Sequence, residues 1–185
     1  MIFEVGYNEP IEGQEVYETY KNRKKTRSNI LWNNILQRCY DPKLHTKEPT
    51  YIGTECYNEW LNYQAFAKWY ENNFYEIEGE KMELDKDLLS KDGKIYSPST
   101  CVFLPHSINN ALINAKGYTF NKQANKYHVQ TWYKNKRIYL GSFDTEEEAR
   151  YTYKLNKQLI VYLLAEEYKD KLPSKVYDAL MNYQL

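Results

Sequence analysis

The sequence predicts an α+β fold: an N-terminal helical part, then a strand–loop–strand–helix unit, then a three-stranded antiparallel sheet packed on one helix. Three observations carry that prediction. Apolar residues recur at helical steps over Ser28–Tyr40 and again from Tyr57 to Phe74. Met82–Leu88, Thr100–Leu104 and Ser107–Ala115 read in turn as strand, strand and helix. Lys126–Tyr133 then alternates in period 2 and is followed by a second strand and a helix start.

Residues 1–27 are polar and basic after a short apolar start, and are expected to form a leader or arm. Lys21, Arg23, Lys24, Lys25 and Arg27 stand together with no acidic residue between them, which fits either phosphate contact or a solvated helix start. In the first helix Leu31, Ile35 and Cys39 follow at steps of four, with Trp32 and Leu36 beside them. A loop around Pro42 and Pro49 is expected next. The second helical pattern carries Trp60, Tyr63, Phe66, Trp69 and Tyr70, an aromatic stripe read as core.

In the middle segment, Ser90-Lys91-Asp92-Gly93-Lys94 is a polar turn between strands, and Ile108, Leu112 and Ala115 form the inward side of the helix. Two carboxylates at i and i+2 on a strand share a face, so Asp85 and Asp87 are placed to hold a magnesium ion together with Asn109. The competing reading is that Asp85 and Asp87 pair with basic residues or orient a loop.

In the C-terminal part, Lys134-Asn135-Lys136 makes a basic turn, Arg137–Leu140 returns as a strand, and Gly141 ends it. Thr145 opens a helix through a capping box with Glu148, placing Ala149 and Tyr153 on one face. The helix is expected to continue through Leu164. Pro173 interrupts it, and Ser174–Tyr183 can form a short last helix. One helix covers one sheet face. The other face would carry His128, Gln130, Trp132, Arg137 and Tyr139, flanked by Lys122, Lys126, Lys134 and Lys136. Such a mixture suits base edges and phosphates. Leu159, Tyr162, Leu163 and Tyr168 form an apolar helix face that must pack on the rest of the chain or, in a homodimer, on a second copy.

The chain has 185 residues, with 25 basic and 25 acidic, so a nonspecific polycation is excluded and any DNA contact must rest on local charge. Tyrosine is common at 20 residues, which suits interfaces and also AT-biased codons. No apolar run approaches the ~18 residues of a membrane span, and MIFEVGYNEPIEGQ lacks the basic start and apolar core of a signal peptide. The expected location is the cytoplasm of a host cell, with no membrane partner. Cys39, Cys56 and Cys101 are too widely spaced for a C-x-x-C zinc site and are expected as buried thiols.

Gly117, Lys126-Tyr127, Ile138-Tyr139-Leu140-Gly141-Ser142-Phe143, Thr145, Glu147-Glu148-Ala149 and Tyr153 give residues 117–154 a pattern that resembles the plant ethylene-response-factor (APETALA-type) DNA-binding domain, which also occurs in phage homing endonucleases. The resemblance implies a sheet in the major groove, with reading positions on Gln130, Trp132, Arg137 and Tyr139, and Lys122 nearby on the first strand. The first turn departs from the plant pattern, with Ala124-Asn125 in place of a Trp-Gly pair.

Trp32, Arg38-Cys39-Tyr40, Pro49-Thr50-Tyr51, Leu84-Asp85-Lys86-Asp87, Tyr96-Ser97-Pro98 and Ile108-Asn109 make the region upstream similar to phage HNH-type homing endonucleases, whose core is a ββα-metal unit. The implied layout is a leader over 1–27, an HNH-like domain over 28–116 and a DNA-binding domain over 117–185. Lys86 stands where that family carries its general-base histidine, and Ser99-Thr100 where it carries a central Asn. Lysine, with an ordinary pKa near ~10.4, is a poor base at neutral pH. His106 is the remaining histidine of the segment and the substitute to test.

The expectation is therefore a phage or mobile-element protein that binds double-stranded DNA sequence-specifically, with cleavage weak or lost, as monomer or homodimer. Arg23, Lys24 and Lys25 would add phosphate contacts. Two alternatives remain open: an active magnesium-dependent nicking endonuclease, and a phage inhibitor that binds a host defence protein complex.

Overall fold

The structure is a computed structural model that describes residues 2–90, 92–113, 115–134 and 136–184. It is α+β, with a three-stranded antiparallel sheet packed on one long helix. The chain divides into two units: Met1–Tyr75 with Leu84–Phe103, and Glu76–Glu83 with Leu104–Leu185. Residues 28–116 thus contribute to both.

In the first unit the leader is tied down rather than free. Tyr7 bridges Asn62, and the buried amide of Gln64 accepts from Tyr17 N and donates to Tyr17 O and Asn8 Oδ1. A buried amide needs such partners, and the leader supplies them. The basic run is a hairpin, not a helix start. β1 (Tyr20–Lys21) pairs with β2 (Lys24–Lys25), and Asn22 and Arg23 turn the chain at φ 52° and 63°. Positive φ at both central residues is the tight hairpin turn that matches strand twist.

Helix α1 (Arg27–Tyr40) starts at Thr26, whose side chain accepts from Asn29 N. The expected loop around Pro42 contains a short helix, α2 (Pro42–Lys47), because Asp41 caps Lys43 N and Pro42 suits a first helical turn. A 3-10 turn, Pro49–Tyr51, follows. The second helical pattern resolves into a 3-10 turn, Asn58–Leu61, and α3 (Tyr63–Asn73), capped by Asn62. Trp32, Trp60, Tyr63 and Phe66 are buried between them, and Trp32 Nε1 donates to Trp60 O at 2.6 Å. β3 (Glu55–Cys56) pairs in parallel with β5 (Ile95–Tyr96). Cys39, Cys56 and Cys101 are buried free thiols whose pKa values burial pushes up, Cys39 and Cys101 to about 12.

The strand–loop–strand–helix order is present as β4 (Met82–Asp85), β6 (Val102–Pro105) and α4 (His106–Leu112), with β4 and β6 paired. The expected turn at Ser90–Lys94 includes Lys91, which lies outside the described residues, and the helix expected to reach Ala115 ends at Leu112, with Ile113 at its C-cap and Ala115 exposed outside it rather than inward.

In the second unit β7 (Tyr118–Asn121), β8 (Lys126–Tyr133) and β9 (Lys136–Phe143) form an antiparallel meander. Of the expected basic turn, Asn135 lies outside the described residues. Gly141 does not end its strand. β9 runs on to Phe143, with a bulge at Val129/Gln130, and Gly141 sits within it at φ 130°.

α5 (Glu146–Glu167) begins with the expected capping box of Thr145 and Glu148 and buries Ala149, Tyr153, Ile160, Val161 and Leu164. Gly117 stands at φ 66°, where an added Cβ would enter the ring of Tyr153, so sheet and helix meet there through a residue that must be glycine. After a 3-10 turn and Pro173, α6 (Ser174–Met181) buries Val176 and Leu180. Tyr168 is buried as expected, but Leu159, Tyr162 and Leu163 are exposed: the helix face expected to pack on the chain is uncovered. Among the described residues no helix is long and apolar enough to cross a membrane.

Candidate nucleic-acid interface

Strand alternation on β8 sends Tyr127, Val129 and Thr131 toward α5 and His128, Gln130 and Trp132 the other way. Val129 and Thr131 are buried; Val129 joins Tyr118, Ala149 and Tyr153 in a cluster against which Tyr127, Leu140 and Phe143 pack. On the opposite face Trp132 pairs with Arg137, Gln130 with Tyr139 and His128 with Ser142. The bulge absorbs Leu140 as an extra residue, which lets Tyr139 and Ser142 both stay on this face; their hydroxyls meet at 2.5 Å. Trp132 and Tyr139 are each 60% exposed, Arg137 is exposed, and His128 and Gln130 are half-buried. The five side chains expected on a free sheet face therefore share one, and it meets solvent.

Their mutual contacts leave polar and aromatic groups facing outward. Arg137 Nε donates to Gln130 Oε1 at 2.6 Å, which pins the guanidinium beside the amide. The His128 and Tyr139 rings meet edge to face at 6.0 Å. Around this face Lys126 pairs with Asp144 at 3.0 Å, and Lys134 pairs with Glu167, whose carboxylate raises the ammonium pKa. Lys136 is exposed on β9. Lys122, expected on the first strand, lies beyond it in the turn. There Asn121 Oδ1 accepts from Gln123 N and Ala124 N and so bends the chain one residue before Lys122 can extend it. Arg23, Lys24 and Lys25 are exposed on the hairpin of the first unit.

The carboxylates singled out in the middle segment are differently placed. Asp85 is the last residue of β4, and its Oδ1 accepts from Asp87 N at 3.0 Å and Leu88 N at 2.8 Å. That turn ends the strand three residues short of Leu88, so Asp85 and Asp87 do not sit at i and i+2 of one strand. Burial pushes the Asp85 carboxyl up, against the pull of those backbone N–H groups. Asp87 is exposed and pairs with Lys86 at 2.6 Å. Lys86 is itself buried, its ammonium 5.5 Å from the Tyr96 ring centroid.

Asn109 belongs to the second unit, where its Nδ2 donates to Glu83 Oε2 at 2.8 Å. Glu83 also takes Lys81 at 2.8 Å and stands 3.0 Å from His106 Nδ1, an approach that is out of line for a hydrogen bond. Burial alone would raise the Glu83 pKa, but the contacts with Lys81, Asn109 and His106 outweigh it and hold the carboxyl at about 2. On its other side His106 Nε2 meets the Asn110 amide at 2.8 Å. The sequence reading missed Glu83. Its signal was the alternation Glu83/Asp85 on one strand and the spacing of His106, Asn109 and Asn110 within one helical turn. Among the described residues no three His, Cys, Asp or Glu side chains are grouped to hold a metal ion.

β7 covers β8 only over Lys126–Val129, and a cavity of about 870 Å³ opens where it stops. Gln130, Trp132, His106, Lys157 and Tyr168 are among its walls. Lys157 is buried there, donating to Ile113 O and close to Tyr153 Oη, and burial lowers its pKa. Comparison with known proteins gave no match: no family model fits the chain, and no curated protein or solved structure is similar to it.

Proposed function

We propose that this chain binds double-stranded DNA sequence-specifically through the free face of β7–β8–β9, and that any cleavage is weak or lost. The observation that carries the reading is the solvent-facing set of Gln130, Trp132, Arg137, Tyr139 and His128 on a sheet that α5 covers from behind. A narrow β-ribbon fits the major groove. There Arg137 suits guanine O6 and N7, Gln130 suits adenine, and the Trp132 and Tyr139 rings suit thymine methyls. Lys122, Lys126, Lys134 and Lys136 would meet the flanking phosphates, and Arg23, Lys24 and Lys25 further ones.

The resemblance to the APETALA-type domain and to HNH homing endonucleases supports a phage or mobile-element origin for such a scaffold. In the nuclease-like segment the candidate groups are occupied internally, Asp87 by Lys86, Asp85 by the backbone, and Asn109 by Glu83. This favours binding over catalysis.

Duplex binding measured against salt tests the proposal. Affinity should fall steeply as salt rises, because each phosphate contact releases a counterion. Arg137→Ala and Trp132→Ala should each weaken selected duplexes while leaving the fold intact. If both variants bind as the parent does, the sheet face is not the reader. Supercoiled plasmid with Mg²⁺ should stay intact; nicking that an Asp85→Ala/Asp87→Ala change abolishes would restore the endonuclease reading. No duplex binding at low salt would turn the face into a protein-docking surface, as in an inhibitor of a host defence complex.

A further inference from the structure

Between Tyr151 and Leu163 the face of α5 turned away from the sheet is apolar and exposed. Tyr151, Leu155, Leu159, Tyr162 and Leu163 are 44–68% exposed there. At about 100° per residue their mean direction lies roughly 150° around the helix from the buried stripe of Ala149, Tyr153, Lys157, Ile160 and Leu164. Thr152 also lies within this face, Asn156 and Gln158 flank it, exposed Lys154 stands beyond Gln158, and Glu148 and Glu166 close it about one turn before and after the stripe. Scattered surface leucines need no explanation, but a continuous stripe does.

We infer that this stripe is the interface of a homodimer in which two copies of α5 pack antiparallel. The spacing is self-complementary. Positions 151, 155, 159 and 163 are symmetric about position 157, so an antiparallel copy sets Tyr151 against the partner's Leu163 and Leu155 against the partner's Leu159. A two-fold interface requires this of a surface that meets itself. At about 200 Å² for a large side chain, the exposed area comes to roughly 500 Å² per copy and about 1,000 Å² for a pair, the size at which a specific interface begins. An interface of that size is reversible, with monomer and dimer exchanging at accessible concentrations.

The geometry of the sheet–helix unit gives the dimer a consequence. The sheet lies on one side of α5 and the stripe on the other, so pairing through the stripe turns the two free sheet faces outward in opposite directions. If those faces read DNA, the dimer holds two duplex segments at once rather than two half-sites of one groove. This consequence rests on the proposed DNA binding; the self-association does not.

Sedimentation velocity of the full chain from micromolar to submillimolar concentration tests the interface. A concentration-dependent shift from monomer to dimer is expected. Leu155→Glu/Leu159→Glu should weaken it by more than ~10-fold while circular dichroism and melting stay those of the parent, since neither residue is buried. A parent that stays monomeric throughout overturns the inference, as does a folded double variant that dimerises like the parent. Should the double variant melt early, the single change Leu159→Asn decides on the same readout. Co-capture of two differently labelled duplexes tests the bridging: the parent should link them and the monomeric variant should bind each singly. Failure to bind either duplex would refute the DNA reading and leave the dimer standing.

Discussion

The free sheet face and the strand–loop–strand–helix segment hold similar polar groups, and they differ in where those groups find partners. On the sheet, Trp132, Tyr139 and Arg137 point into solvent, and the contact of Arg137 with Gln130 aligns two groups without covering them. In the other segment Asp85 is bonded to the chain it turns, Asp87 to Lys86, and Asn109 to Glu83. A side chain that satisfies its own fold is poorly placed to satisfy a ligand, because the internal bond must first be broken. The difference teaches that residue type alone does not mark a site; unspent hydrogen-bonding capacity at the surface does.

The largest expected effect comes from breaking the platform of the sheet. Gly117→Ala places a Cβ in the Tyr153 ring at a positive φ and should cost about 2–4 kcal/mol in urea denaturation. Duplex binding should fall with it as the sheet loosens from α5. An alanine variant as stable as the parent would mean that the contact between sheet and helix is not as drawn.

A matched pair of substitutions sharpens the contrast directly. Arg137→Ala should lose about 1–3 kcal/mol of binding to a selected duplex and change stability by no more than ~0.5 kcal/mol. Asn109→Ala should do the reverse, costing about 1 kcal/mol of stability by depriving Glu83 of a donor while binding holds. Exchange of these two outcomes would place the ligand at the β4–β6–α4 segment.

Acid titration separates the two carboxylates of β4. Glu83 is held at about 2 against an ordinary 4.5, so its contribution to stability is fully present above about 4.5 and is lost as pH falls toward 2. Glu83→Gln should therefore flatten the acid limb of a stability–pH curve. Asp85 is raised, so its contribution has the opposite sense: present below 3.8 and lost as pH rises through its folded value. Asp85→Asn keeps the oxygen that accepts from Leu88 N and removes the disfavoured charge. The smallest effect is expected here, a melting point equal to or slightly above that of the parent at neutral pH. A marked destabilisation would show that the charge itself is needed.

Much of the sheet module was legible beforehand. The limits of β8 and the Thr145–Glu148 box were readable because strand period and helix capping depend on neighbours a few residues away. Misreadings occurred where a partner acts. At Pro42 the expected loop is a helix because Asp41 caps Lys43 N, and Gly141 lies within its strand because the bulge opposite Val129 depends on another strand. Of the candidate site, the sheet face was legible by alternation. The Glu83–His106–Asn109 cluster was not, since it joins β4 to a helix more than twenty positions on.

The sequence by itself determined the strand–strand–helix order of the middle segment, the three strands and helix that follow, the capped start of α5 and the set of side chains on the free face of the sheet, all of which follow from local patterns. Only the tertiary structure decided which polar groups were consumed internally, that β4 stops at Asp85, and that Leu155, Leu159 and Leu163 stay uncovered. Those outcomes depend on what the folded chain brings near each residue, and local pattern carries no information about neighbours that are distant in sequence.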